Sequence, residues 1–239
     1  MRLFVRRRFF GFLAPIIGLF AFSVAPLQAG FVQIPQPNAA YTSSTTLLPI
    51  PGNDFDTTLT LSDANLTVTF STLMEVFTAE TTWASWGSPP ATEGNMTKVL
   101  SPFDFTLTSV TMTFSKPLTT FGLEAEPDGF TQGSFPMRLD FFNGVTPIGT
   151  VSYSAVDPIG GAVLFAATSM TPITSATITV EGNQNLPEGT DPGIARLRYA
   201  LAAPQSVPEG GSSIGLMVIA VLAMFAAHRW HLRNRSCGS

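Results

Sequence analysis

Three carboxylates stand two residues apart in the run Glu124-Ala125-Glu126-Pro127-Asp128. Successive side chains on a strand point to opposite faces, so Glu124 and Glu126 project from the same one. With Asp54 and Asp56 they could offer the oxygen ligands that Ca²⁺ prefers, which makes Glu124, Glu126 and Asp128 the candidate metal group. A pair of them could also serve as the acid and base of a glycosidase, which needs carboxyl groups about 5 to 9.5 Å apart. A plain solvated acidic face has the same spacing, and neither an EF-hand nor a Gly-Asp repeat accompanies these acids.

The second chemical signal is aromatic. Thr81-Thr82-Trp83-Ala84-Ser85-Trp86-Gly87-Ser88-Pro89-Pro90 sets Trp83 and Trp86 three residues apart in a turn-rich stretch. Exposed, two such rings would form an apolar platform for a sugar face; turned inward, they would plug the open end of a core. Trp83 and Trp86 are therefore candidate ligand-binding residues and candidate packing residues at once.

What is missing narrows the chemistry further. The only cysteine is Cys237 and the only histidines are His228 and His231, all near the C-terminus. The long middle of the chain thus has no disulfide, no zinc site built on Cys or His and no triad that needs a histidine base. No catalytic residue is assigned. Apart from Ca²⁺ at the acids, the sequence suggests no cofactor.

These residues must be positioned by strands. From Asp54 onward apolar positions alternate with polar ones in short runs separated by Gly, Pro, Asn and Asp. Leu59 and Leu61, then Leu66, Val68 and Phe70, read as a hairpin around Ser62-Asp63-Ala64-Asn65. Phe103, Phe105 and Leu107 pair in the same way with Val110, Met112 and Phe114, and Phe121 and Leu123 lead into the acids. Met137, Leu139 and Phe141 run to Asn143-Gly144, a strong hairpin signal, with Ile148 to Tyr153 returning. Val163 to Ala167, Ile173 to Val180 and Ala195 to Leu201 complete the set, with Arg196 and Arg198 on the polar face of the last strand. Threonine fills many outward positions, as suits a half-solvated pleated surface. With no long helical period in this region, the chain is predicted to be all-β, an antiparallel two-sheet β-sandwich of jelly-roll type.

Between Phe31 and Ser206 five cations face 15 carboxylates, a net charge of −10. Nucleic-acid binding depends on neutralising phosphates with Lys and Arg, so so acidic a region excludes that partner.

The two ends read as targeting segments. Residues 1–29 have a basic start at Arg2, Arg6, Arg7 and Arg8, an apolar stretch and a small-residue end, the layout of a secretory signal peptide cut after Ala29. Arg6-Arg7-Arg8-Phe9-Phe10 also resembles a twin-arginine export signal, which leaves the export route open. Residues 30–53 carry four prolines and read as an extended lead-in, 54–201 as the sandwich, and 202–213 as a linker. Residues 214–228 are apolar and, with their uncharged flanks, long enough to span a bilayer. The basic tail at 229–239 holds Arg229, Arg233 and Arg235, so the C-terminus is expected inside the cytoplasm and the sandwich outside.

Val207-Pro208-Glu209-Gly210-Gly211-Ser212 followed by that span and that arginine cluster resembles the PEP-CTERM sorting signal of bacteria that make extracellular polysaccharide. Its form is closest to the VPDSG-type variants, with Gly210 where the commoner form has a second proline. The resemblance implies an exosortase-type processing enzyme as partner, an inner-membrane anchor, and later transfer to the cell surface or extracellular matrix. The stretch from Phe114 to Glu124, with Gly161 to Ala167 and Ile173 to Ala176, resembles the β-sandwich ectodomains that such proteins carry. Sequence alone therefore points to an exported, non-enzymatic surface protein associated with the envelope or extracellular polysaccharide; the alternative is a carbohydrate-binding module, calcium-stabilised, and less readily a glycosidase.

Overall fold

The computed structural model describes residues 30–128, 133–182 and 191–203. Ten strands and one short helix follow in order. They are β1 (Phe31–Ile34), α1 (Ala39–Ser44), β2 (Thr46–Leu47), β3 (Thr57–Ser62), β4 (Thr67–Thr78) and β5 (Lys98–Pro102), then β6 (Ser109–Pro127), β7 (Phe135–Asn143), β8 (Thr146–Val156), β9 (Val163–Val180) and β10 (Pro192–Leu201). Every ladder between these strands is antiparallel, as predicted for an all-β fold.

The hydrogen-bonded ladder is continuous through all ten strands, and two layers arise because its longest members change partners along their length. The first part of β6 lies between β4 and β9, and its second part between β10 and β9. Likewise β9 pairs with β1 near its start and with β7 near its end. The register between β6 and β9 shifts around Leu118, next to Pro117 on one strand and Pro172 on the other. Proline donates no ladder bond and is tolerated at such irregularities. Phe114 and Phe121, one on each side of the shift in β6, bring their rings to 4.5 Å inside the core. The chain thus folds over itself and packs its own two halves together.

The β3–β4 hairpin forms as the alternation predicts. The Asp63 carboxylate accepts from the backbone N–H of Asn65 and Leu66 and holds the turn. The β7–β8 hairpin also forms, one position displaced: Asn143 pairs with Thr146, and the turn residues are Gly144 and Val145. Gly144 has φ +59°, and glycine at the first central position suits the II′ turn of a two-residue hairpin.

Two expectations require correction. Phe103 to Leu107 is a loop, not a strand, because Pro102 ends β5 and the Asp104 side chain binds the N–H and hydroxyl of Thr106. The lead-in is part of the sheet: β1 adds to β9, β2 adds to β10, and Asn38 caps α1 by accepting from the Tyr41 N–H. Phe31 sits on Gly149, where a Cβ would meet its ring at 2.4 Å, and against Phe141 at 5.3 Å. The predicted linker has a described start, Ala202 and Ala203; the signal peptide, the rest of the linker, the span and the tail lie outside the described residues. Among the described residues no helix is long and apolar enough to cross a membrane.

Candidate functional site

The second half of β6 is buried on both faces. Its inner side chains, Phe121, Leu123 and Ala125, belong to the main core. Its outer face would be solvated in a plain sandwich, but the segment joining β4 to β5 folds back across it. Trp83 and Trp86 from that segment are 7% and 3% exposed and pack with Phe77, Val99, Ala162 and Ala195 in a second, smaller apolar cluster. Glycine makes the room: a Cβ on Gly193 would stand 2.5 Å from the Trp83 ring.

Glu124 and Glu126 share one face, as their spacing requires, and both are 0% exposed. The indole N–H of Trp83 donates to Glu126 Oε1 at 2.6 Å and that of Trp86 to Glu124 Oε2 at 3.0 Å. The remaining carboxylate oxygens accept from backbone, Glu124 Oε1 from the Glu93 N–H at 2.6 Å and Glu126 Oε2 from the Ala162 N–H at 3.0 Å. Each of the four oxygens therefore has a donor, which is the condition for burying such groups at tolerable cost. Burial pushes Glu124 up to about 7 and Glu126 up to about 8, against the downward pull of these bonds.

This geometry overturns three readings of the sequence. The tryptophans are not an exposed sugar platform; they are the inward plug, fixed by hydrogen bonds to the acids. Glu124 and Glu126 are not a solvated face, and their oxygens are taken up within the protein rather than turned towards a substrate or an ion. Asp128, just past β6, is not their companion but lies beside Asp191, whose carbonyl accepts from the Asp128 N–H at 2.7 Å. Asp191 is also fully buried and accepts from the Ser101 hydroxyl. Burial raises Asp191 to about 7 and Asp128 to about 6. Asp54 and Asp56 are engaged separately, with Thr78 and Lys98 and with the Asn53 N–H respectively. Among the described residues no group of three or more His, Cys, Asp or Glu could hold a metal ion.

An ionic layer that the sequence did not single out completes the site. Arg198 grips Glu93 through two bonds, Nε to Oε1 at 2.5 Å and Nη2 to Oε2 at 2.8 Å, and its Nη1 reaches the carbonyls of Thr42 and Thr45. Arg196 lies 3.6 Å from Glu124 Oε2 and donates to the Met96 carbonyl. It has φ +47° at a register shift in β10, an uncommon backbone state for a residue with a side chain. The alternation of Arg196 and Arg198 with apolar neighbours was the legible signal; that their face is covered depends on residues about a hundred positions away.

Beside the Glu93–Arg198 pair an open cleft of about 580 Å³ lies between the β1–α1 region and the Pro89 to Glu93 stretch. Gln36, Asn38, Pro89, Pro90, Thr92 and the ion pair are among the residues that line it.

No family model matches the chain, and no curated protein matches it. Among solved structures, a family 29 carbohydrate-binding module is 11% identical, with 48% of this chain and 78% of that one covered and a TM-score of 0.26. CsCBM6-3 from Clostridium stercorarium, in complex with cellobiose, is 8% identical over 49% of this chain and 81% of its own, with a TM-score of 0.25. The enzymatically active domain of tailspike protein 4 of bacteriophage CBA120 is 15% identical over 58% of this chain and only 20% of its own, with a TM-score of 0.27. At such scores the likeness carries no argument about function.

Proposed function

We propose that the chain is an exported, non-catalytic surface protein, whose β-sandwich is held outside the cytoplasm by a C-terminal anchor that an exosortase-type enzyme reads at Val207 to Ser212. The observation that carries this reading is where the first and last described strands lie. Phe31 pairs with Ser169 on β9, and Leu201 pairs with Leu118 on β6, close to where Thr120 meets Thr168. Both ends therefore stand at one level of the sheet, three strand spacings apart in the order β1, β9, β6, β10, or roughly 14 Å. Leader and anchor attach at the same end, an arrangement that suits a domain held on a membrane with its other end outward. Cell fractionation and mass measurement with and without the processing enzyme test it. A chain shortened near Val207 to Glu209 only when the enzyme is present supports the reading, and the same full-length mass in both strains rejects the processing.

A second reading, a carbohydrate-binding ectodomain, loses its support from Trp83 and Trp86. The cleft beside Glu93 and Arg198 favours it instead, since its size lies in the range of small-ligand sites and its lining mixes apolar rings with a few polar groups.

A further inference from the structure

We propose that the cleft between the β1–α1 connection and the Pro89 to Glu93 stretch is a binding site for a neutral oligosaccharide of hexopyranose units. The proposal rests on the carbohydrate-binding reading and gives it a place and a ligand class.

Glu93 and Arg198 pair in the lining of the cleft with side chains 13% and 12% exposed, so that lining carries both signs in equal number. An anionic ligand would meet the Glu93 carboxylate, in an ectodomain that is acidic as a whole. A cation would meet the guanidinium. An uncharged polyol meets neither penalty, and its hydroxyls both donate and accept. Arg198 has five N–H donors; four have partners, which leaves one on Nη2 without a partner among the described residues. Each Glu93 oxygen accepts one bond from Arg198 and keeps capacity for another. Donor and acceptor thus lie side by side, the pattern that adjacent hydroxyls on a sugar ring complement.

The walls complete the match. Gln36 and Asn38 are exposed, and an amide offers both donor and acceptor to a hydroxyl. Pro89 and Pro90 add rigid, apolar rings to the same lining, suited to the C–H face of a pyranose. Thr92 borders the same cleft, is 1% exposed, and its hydroxyl has no partner. Buried hydroxyls nearly always have one, so an orphan at the edge of a cleft marks a place where a ligand, or a water it traps, completes the bond.

Calorimetric titration of the full chain, held in a detergent without a sugar headgroup, tests the proposal with cellohexaose and mannohexaose as neutral probes and pentagalacturonate as an anionic one. Saturable binding of a neutral probe and none of the anionic one is expected. Gln36→Ala should weaken that binding by about fivefold or more, the loss of one net hydrogen bond. Thr92→Val should weaken it to a similar degree while the unliganded protein becomes no less stable, since the change removes an unpaired buried hydroxyl. If a neutral probe binds and neither variant changes its affinity, the cleft is the wrong site and the carbohydrate reading survives. If pentagalacturonate binds as tightly as the neutral probes, the ligand class is wrong. If no probe binds, this proposal and the reading beneath it fall together.

Discussion

Trp83 and Glu126, 43 residues apart in the chain, meet through a buried bond in which the indole N–H donates to the carboxylate at 2.6 Å. The bond fastens the segment between β4 and β5 to the outer face of β6. Removing the donor leaves a buried oxygen unpaired, which costs about 1–3 kcal/mol. Trp83→Phe is therefore expected to lower stability by that amount in urea denaturation, and by more at pH 9, where the carboxylate is charged, than at pH 5. A loss below about 0.5 kcal/mol at both pH values would show that the bond contributes nothing.

The buried acids set the pH dependence of stability. Glu124, Glu126, Asp128 and Asp191 titrate in the folded protein at about 7, 8, 6 and 7, above the values of about 4 expected when unfolded. Between those limits the native state holds more protons than the unfolded chain, so stability falls as pH rises. The urea midpoint should drop from pH 5 through pH 8 and level off only above about pH 9, once Glu126 is ionised. Glu126→Gln should flatten part of that slope. A midpoint that climbs over the same range contradicts the assignment.

Gly193 tests the packing independently of charge. A methyl group there would press on the Trp83 ring, so Gly193→Ala should cost about 1–3 kcal/mol as an overpacked site does. Gly30→Ala, with nothing within 4 Å of the added carbon, is the neutral control. Equal melting temperatures for the two variants would mean that the segment yields freely.

Arg198→Lys replaces a planar fork by a point charge and gives up the two parallel bonds to Glu93. A loss on the order of 1–2 kcal/mol is expected, against a smaller change for Arg138→Lys, whose partners Asp140 and Glu181 lie nearer the surface. The ranking of the two denaturation midpoints decides the point.

Much of the fold was legible because it is local. The alternation of Leu66, Val68 and Phe70, and the turn before it, specify a strand and its inner face without reference to distant residues. The shared face of Glu124 and Glu126 was equally plain, since it follows from the pleat alone. What covers that face was not. Trp83 and Trp86 could plug a core or greet a ligand with the same spacing, and only the path of the chain from Ala79 to Thr97 decides between them. The same holds for β1: a four-residue strand between glycine and proline carries little periodic signal, and its place is set by Gly149 receiving Phe31. The division of β6 between two layers leaves its trace in a change of phase, from even-numbered inner positions at Val110, Met112 and Phe114 to odd-numbered ones at Phe121, Leu123 and Ala125, across Pro117 where the partners change.

Export and anchoring are tested by impermeant-maleimide labelling. In spheroplasts of a strain without the processing enzyme, the chain has one native thiol, Cys237, in its basic tail. Val145, 96% exposed at the β7–β8 turn, takes the single thiol of a second variant, Val145→Cys in a Cys237→Ser background. Val145→Cys is expected to be labelled on intact spheroplasts, and Cys237 in the unaltered chain to react only after lysis. Labelling of Cys237 before lysis, or protection of Val145→Cys until lysis, would contradict that topology.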